Sequence, residues 1–490
     1  MDILTLETIQ ALSPGRVWKY FFELSQIPRE SGDEKRSREY IKQFAHKHDL
    51  IYKIDKAGNI VVKKEAAPGK KNIPALVLQG HLDMVCVKHP ESGHDFTTDP
   101  ITLLRNNDWI TAQETTLGAD NGIAVAMALA ILEDEQASYG PIEALFTVSE
   151  ETGLDGAFGL DISMIDGRIL INLDSEDEGT FYVGSAGGGE IVGTLTPQRE
   201  LSDGTFLDWD AWEVEVSGLT GGHSGGDIHL GRANAVKECV RFLKTLSLES
   251  EIRVHRIDGG TKRNVIPSEC KAQFLLPPGK KELVTAAADA HQKSFLERYR
   301  DTDPDGKISA HSVGLCQTSL TPEDSLKLIN ALYITPHGVD RMSTTIKGIA
   351  ETSTNLAAVQ TTTDSIKVIT SQRSAIESAR VDISQRTATA IATCGAVCEL
   401  VNTYPAWTPN PDSSLPGLVS TLWKDMTGAK PQVTAIHAGL ECGVINSKAP
   451  DMESISFGPD ITGAHSTAEA IKIDSVERMY QFLQKLLSSL

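Results

Sequence analysis

Two apolar runs set the frame of this chain. The first, Ala75-Leu76-Val77-Leu78, leads straight into Gln79-Gly80-His81-Leu82-Asp83-Met84-Val85. The second, Ile123 to Leu132, follows Thr116-Leu117-Gly118-Ala119-Asp120-Asn121-Gly122. A short, bounded run without alternation has the form of a buried parallel strand. The longer run is too apolar for a surface helix and has to lie against a sheet. His81 and Asp83 stand two apart just past the strand, so in extended chain they point to the same side. Asp120 lies where a turn opens into the helix. A His, an Asp and a further Asp are thereby gathered at the carboxyl edge of an α/β sheet, where a metal site would be built. On its own a His-x-Asp pair is more often a surface feature than a ligand set, so the remaining chain has to decide.

At 490 residues the chain exceeds a single core, and two or three domains are expected. A formal net charge of −20 argues against a nucleic-acid or anionic-membrane partner, each of which needs a basic face. The seven cysteines form no Cys-x-x-Cys pair, and their number is odd. Cys394 and Cys398 share a face if helical, which suits core packing better than a metal clip. That usage fits a reducing compartment. The N-terminal segment lacks a basic region followed by an apolar one, and no apolar run approaches the ~18 residues of a membrane span. The protein is expected to be cytoplasmic.

Taken in order, Val17, Tyr20, Phe21 and Leu24 follow helical spacing, and a second helix is expected over 33–48. Residues 51–64 read as two strands around Ala57-Gly58-Asn59. Residues 88–115 read as polar and irregular, with Pro90, Gly93 and Pro100. The strand Ile142 to Val148 ends in Ser149-Glu150-Glu151-Thr152-Gly153, and the strand 167–174 ends in Asp174. Successive strand ends thus carry acids or histidine, and strands alternate with helices, as in a mostly parallel sheet. The texture changes at Ser185-Ala186-Gly187-Gly188-Gly189. Residues 188–399 are read as a second, α+β domain inserted into the first, which comprises 1–187 and 400–490. The two halves of the insert could be related, but the sequence shows no convincing repeat. A last core strand at 454–458 precedes Gly463-Ala464-His465-Ser466, and a final amphipathic helix runs over 475–487.

His81, Asp120, the pair Glu150/Glu151, Asp174 and His465 can together hold two zinc ions. Each ion would receive one imidazole nitrogen, one terminal carboxylate and one oxygen of a bridging carboxylate, with a position left for water. Two such ions can share a hydroxide and polarise a carbonyl. One carboxylate must stay free as general base. Glu150 and Glu151 can supply both jobs, and spacing alone does not divide them.

Gly80-His81-Leu82-Asp83-Met84-Val85, Gly118-Ala119-Asp120-Asn121-Gly122, Ser149-Glu150-Glu151-Thr152-Gly153 and Asn172-Leu173-Asp174-Ser175-Glu176 resemble, in order and spacing, the co-catalytic dizinc peptidase superfamily of aminoacylases, carboxypeptidases and dipeptidases. The resemblance covers essentially the whole chain and is nearest to the bacterial aminoacyl-histidine dipeptidase branch. Gly221-Gly222-His223-Ser224-Gly225-Gly226-Asp227-Ile228-His229, Arg263-Asn264-Val265-Ile266-Pro267, His437-Ala438-Gly439-Leu440-Glu441-Cys442-Gly443 and Thr462-Gly463-Ala464-His465-Ser466 support that branch.

The resemblance implies an α/β, mostly parallel-sheet dizinc catalytic domain with an inserted α+β lid and dimerisation domain. It implies that Asp120 bridges two Zn²⁺, that His81 with Asp174 and Glu151 with His465 complete the two sites, and that Asp83 orients His81. Glu150 becomes general base and later acid. His223 lies across the cleft near the reacting carbonyl, on a turn whose small residues let the backbone approach a ligand. Asn264 and Gly439 join the substrate-binding set, and Arg373 could clamp a substrate carboxylate, although a surface salt bridge accounts for it nearly as well. His89, His94 and His229 are read as surface histidines, and Asp177 and Glu178 as solvated. The expected activity is hydrolysis of Xaa-His dipeptides such as β-alanyl-histidine by a homodimer, with cobalt or manganese able to replace zinc. A related N-acyl amino acid deacylase or single-residue carboxypeptidase is the alternative enzyme. A metal-loaded binding protein is the alternative outside catalysis, and a free Glu150 beside Glu151 argues against it.

Overall fold

The computed structural model describes residues 2–135, 139–201, 208–314 and 316–490. The chain divides into two compact units. One comprises Met1–Ser185, Trp407–Ala435 and Leu440–Leu490, and the other Ala186–Ala406 with Ile436–Gly439.

The first unit is built on an eight-stranded sheet in the order Ile51–Ile54, Ile60–Lys64, Ile142–Thr147, Leu76–His81, Ile169–Asn172, Glu453–Ser456, Thr180–Ser185, Gln432–Ile436. The four central strands, from Ile142–Thr147 to Glu453–Ser456, are mutually parallel. The pairs that flank them, Ile60–Lys64 with Ile142–Thr147 and Glu453–Ser456 with Thr180–Ser185, are antiparallel. Every residue of Leu76–His81 and of Ile142–Thr147 is buried, as strands covered on both faces must be. The apolar helix Ala119–Glu133 packs between Leu76–His81 and the helix Gly15–Ser25. Gly80 permits this approach, because a Cβ there would lie 2.8 Å from the Cβ of Ala124.

The segment read as irregular contains a hairpin, Leu103–Asn106 with Trp109–Ala112. Four-residue strands are too short for alternation to stand out against the polar surroundings. This hairpin joins a five-stranded sheet in the order Asp2–Ile3, Leu103–Asn106, Trp109–Ala112, Ala470–Lys472, Ile461–Thr462. Its last two strands are antiparallel, and the loop between them carries His465.

The second unit contains a sheet in the order Lys307–Ser312, Asp210–Ser217, Cys270–Leu276, Arg253–Gly259, Ala350–Thr361, Ile366–Ser374, Gly187–Leu195, Val397–Tyr404, with Gly338–Met342 paired to Ala350–Thr361. It has two halves of the same connectivity. Asp210–Ser217, helix Ala235–Glu249, Arg253–Gly259, Cys270–Leu276, helix Lys281–Tyr299 and Lys307–Ser312 form a βαββαβ unit. Gly187–Leu195, helix Pro322–Ile334, Ala350–Thr361, Ile366–Ser374, helix Glu377–Ala392 and Val397–Tyr404 form another. In each half the first strand lies between the third and the fourth, and the two second strands meet through Gly259 and Val359. The repeat absent from the sequence is therefore present in topology.

The boundaries differ from the expected 188–399. Gly188 pairs with Tyr404, so the strand beyond residue 399 stays with this unit. His437 and Gly439 also belong to it: Ser353 Oγ lies 2.7 Å from His437 Nε2, and the Ala186 N–H donates to the Ile436 carbonyl.

Candidate metal centre

His81 closes its strand and is almost fully buried. Its Nδ1 lies 3.1 Å from the Asp83 backbone carbonyl and 3.4 Å from Asp83 Oδ1, which turns Nε2 toward the other strand ends. The same Asp83 carboxylate receives the N–H of Glu150 on Oδ1 at 3.1 Å, and the N–H of Glu151 and the hydroxyl of Ser31 on Oδ2 at 3.2 and 2.7 Å. One buried acid thus fixes both the imidazole and the turn that presents the two glutamates. Burial acts to raise its pKa, but His81 and these donors together pull it below the usual carboxylate range.

Asp120 opens the apolar helix behind Gly118, whose φ is 69°. The four main-chain N–H groups that lead into it all donate to one residue, Glu469. Its Oε2 accepts the N–H groups of Leu117 and Gly118 at 2.7 and 3.0 Å, and its Oε1 those of Ala119 and Asp120 at 2.8 and 3.2 Å. Buried Arg29 ties the same loop to the His81 strand end by donating to the carbonyls of Leu82, Asp83 and Gly118. Sequence reasoning missed both residues. Glu469 carried one weak signal, an acid four positions beyond His465 in the same loop.

The ligand candidates meet in two triads that share Asp120. His81 Nε2 lies 3.2 Å from Asp120 Oδ1 and 3.6 Å from Asp174 Oδ1. His465 Nε2 lies 3.0 Å from Asp120 Oδ2 and 3.1 Å from Glu151 Oε2. Each triad has its possible ligand atoms within 4.8 Å of one another, as does a third group of His81, Glu150 and Glu151.

The electrostatics call for added positive charge. Burial pushes Glu150 and Asp174 well above the usual carboxylate range; His81 opposes this, and neighbouring carboxylates reinforce it. Burial alone would make His81 a weak base, yet Asp174, Asp120 and Asp83 hold it well above the usual histidine range. Hydrogen bonds to Asp120 and Glu151 push His465 up to about 11 against the effect of burial. Glu151 Oε1 is buried and lacks a hydrogen-bond partner. Protons on the imidazoles stand where a shared divalent pair would stand, so the donor set fits two metal ions.

A second cluster lies in the other unit. His223 sits in a loop where the Gly226 N–H donates to its Nδ1 at 2.8 Å, leaving the neutral ring its proton on Nε2. A Cβ on Gly225 would press on the His437 carbonyl and lie 3.1 Å from Arg373 Nε, so loop, His437 and Arg373 are packed together. Arg373 makes no ion pair among the described residues. It donates to the Tyr404 hydroxyl at 2.7 Å, which removes the salt-bridge account. Gly439 approaches the Tyr404 ring, 2.8 Å from where its Cβ would stand. Asn264 is exposed, and its carbonyl accepts the Ser224 N–H. Burial first, then Arg373, His223 and His229, push His437 down to about 3, so it is neutral at physiological pH. His437 and Tyr404 were not foreseen. His229 is exposed, as expected.

A family model described as Peptidase family M20/M25/M40 matches residues 77–489. The cytosol non-specific dipeptidase of Escherichia coli K12 is 36% identical over 485 residues, 99% of each chain. The crystal structure of an aminoacylhistidine dipeptidase from Vibrio alginolyticus superposes with a TM-score of 0.88 at 36% identity, covering 98% of each chain. Human carnosine dipeptidase 1 gives a TM-score of 0.51 at 12% identity, covering 98% of this chain and 96% of that one, a likeness of fold alone.

Because the metal-free site holds its imidazoles protonated through neutral pH, metal uptake has to displace those protons. Uptake at pH 7 is expected to release at least one proton from each of His81 and His465, and apparent affinity is expected to rise with pH. Calorimetric titration of metal-free protein in buffers of different ionisation enthalpy counts the protons. Uptake without proton release would contradict this arrangement.

Proposed function

We propose that this chain, which belongs to peptidase family M20/M25/M40, is a metal-dependent dipeptidase acting on Xaa-His dipeptides, β-alanyl-histidine among them. The observation that carries the reading is Asp120, each of whose carboxylate oxygens faces a different imidazole with a further carboxylate beside it. The E. coli and Vibrio relatives, both named as dipeptidases, support the substrate class.

His81, Asp120 and Asp174 would hold one zinc ion, and Asp120, Glu151 and His465 the other; cobalt or manganese suits the same mixed ligands. When bound, such a pair supplies Lewis acidity to a peptide carbonyl and acidifies a nearby water. Glu150 belongs to neither of the two triads that share Asp120, which leaves its carboxylate available as general base. Its raised proton affinity suits a group that takes a proton from water, keeps it, and returns it to the departing amine. Asp83 holds the N–H groups of Glu150 and Glu151, so it sets where that base stands. In the second unit, which we assign the role of lid, His223 offers an Nε2–H donor to the carbonyl oxygen as negative charge develops there. Arg373 offers a clamp for the terminal carboxylate of a dipeptide, with Asn264 and Gly439 completing the substrate set.

We further assign the enzyme to the cytoplasm as a homodimer with its contact on the second unit. No helix among the described residues is long and apolar enough to cross a membrane. Sedimentation at micromolar concentration tests the dimer, and a monomer there would count against it.

Two experiments test the reaction. Glu150→Gln should retain its metal yet lose ~10²–10⁴-fold in rate, the scale of a general acid–base, whereas Glu151→Gln should bind metal more weakly. Metal content and kcat measured on one preparation separate the two, and the opposite pattern would exchange their roles. A panel of Xaa-His dipeptides, other dipeptides and N-acyl amino acids, assayed before and after chelation, should show the highest kcat/KM on Xaa-His and no turnover without metal. Preference for N-acyl amino acids would point to a deacylase.

A further inference from the structure

We infer that Asp303 is a positioning residue for His223. The inference rests on the reading above, in which His223 donates to the reacting carbonyl.

Asp303 follows the helix Lys281–Tyr299 and is 0% exposed. Its Oδ1 accepts the N–H of Thr220 at 2.9 Å, and its Oδ2 accepts the N–H of Ala233 at 2.8 Å. Those donors stand at the two ends of the loop between the strand Asp210–Ser217 and the helix Ala235–Glu249. The Thr302 hydroxyl donates to Oδ2 at 2.8 Å, and the Thr220 hydroxyl donates to the Thr302 carbonyl at 2.7 Å. One carboxylate therefore closes the base of the loop that carries His223.

Above that clasp the loop is tied both to itself and to segment 264–266, where the Asn264 carbonyl accepts the Ser224 N–H and the Ile266 N–H donates to the Gly222 carbonyl, each at 2.8 Å. The His223 N–H donates to Asp227 Oδ2 at 2.9 Å, Arg232 pairs with the same oxygen at 3.2 Å, and Arg232 donates to the Gly221 carbonyl at 2.8 Å. Gly221 and Gly222 have φ of 66° and 127°, so the chain turns sharply just before His223. A donor aimed at a reacting atom tolerates only about 0.5 Å of error. The loop's internal bonds keep its shape; its pairing with segment 264–266 holds one side of it, and the Asp303 clasp fixes both of its ends on the sheet. Aspartate suits the task because both its oxygens only accept, so each can take an N–H. Asparagine keeps the size but turns an amide donor toward one of the two N–H groups. Asp303 has no role in metal binding, so its effect should pass through His223.

The test compares wild type, His223→Ala, Asp303→Asn and the double variant in the intact metal-loaded enzyme, with kcat, KM, metal content and melting temperature from one preparation each. Asp303→Asn is expected to lower kcat by about 10- to 100-fold, within the ~10²–10³-fold loss expected of His223→Ala. KM and metal content should change little. Added to His223→Ala, it should cost nothing further, because two residues acting through one contact are not additive. A normal kcat in Asp303→Asn, or a loss that persists undiminished beside His223→Ala, overturns the inference while leaving the role of His223 intact. A normal kcat in His223→Ala removes the role of His223 and this inference with it. Should Asp303→Asn fail to fold, Thr302→Val decides in its place, since it removes only the hydroxyl donated to Oδ2. A fall in kcat that vanishes in the His223→Ala background is expected, and an unchanged or additive kcat overturns the inference.

Discussion

The repulsion among acids at one sheet edge is the constraint to which the first unit answers. Asp120, Glu150, Glu151 and Asp174 converge where water is scarce, and there burial first, then neighbouring carboxylates, raises the proton affinity of Glu150 and Asp174. Without a cation the site survives by keeping His81 and His465 protonated between the carboxylates. That crowding is stable only if the backbone beneath it cannot relax. Asp83 and Glu469 supply the resistance: each carboxylate accepts main-chain N–H groups of the loops that carry the ligands, and Asp83 holds the His81 ring as well. The four parallel strands under the site give these anchors a common floor.

The second unit gathers groups of the opposite character, nitrogen donors with no carboxylate among them. His223 keeps Nδ1 occupied by a backbone N–H, His437 is kept neutral by burial and cationic neighbours, and Arg373 rests on Tyr404 instead of an acid. Among the described residues no carboxylate pairs with Arg373, which is the condition that the proposed clamp on a ligand carboxylate requires.

Much of the candidate site could be read in the sequence because chemistry and local pattern coincide there. His81 ends a short apolar strand, Glu150, Glu151 and Asp174 each follow one, and Asp120 opens a helix that is apolar from Ile123 to Leu132. What escaped is what acts across distance. Glu469 serves N–H groups some 350 positions earlier, and a residue that binds main chain leaves no trace in the sequence of its partner. Arg29 escaped for the same reason. The hairpin at Leu103–Ala112 was hidden by short strands, yet it holds the sheet that delivers His465. The kinship of the two βαββαβ halves was hidden because one half interrupts the other between its first strand and first helix.

That nesting has a consequence for biosynthesis. The first half of the second unit, from Asp210 to Ser312, is contiguous and can fold as soon as it emerges from the ribosome, since domains form in order of synthesis. The half around it must hold the strand Gly187–Leu195 unpaired until its partners Ile366–Ser374 and Val397–Tyr404 arrive. The first unit waits longest, because the strand Glu453–Ser456, His465 and Glu469 all lie near the end of the chain. The acids of the sheet edge are therefore made before the second unit, and their site is completed only after it. A chain cut short before residue 465 would lack an imidazole and the anchor of the Asp120 loop together, so premature products would fail to assemble the paired site.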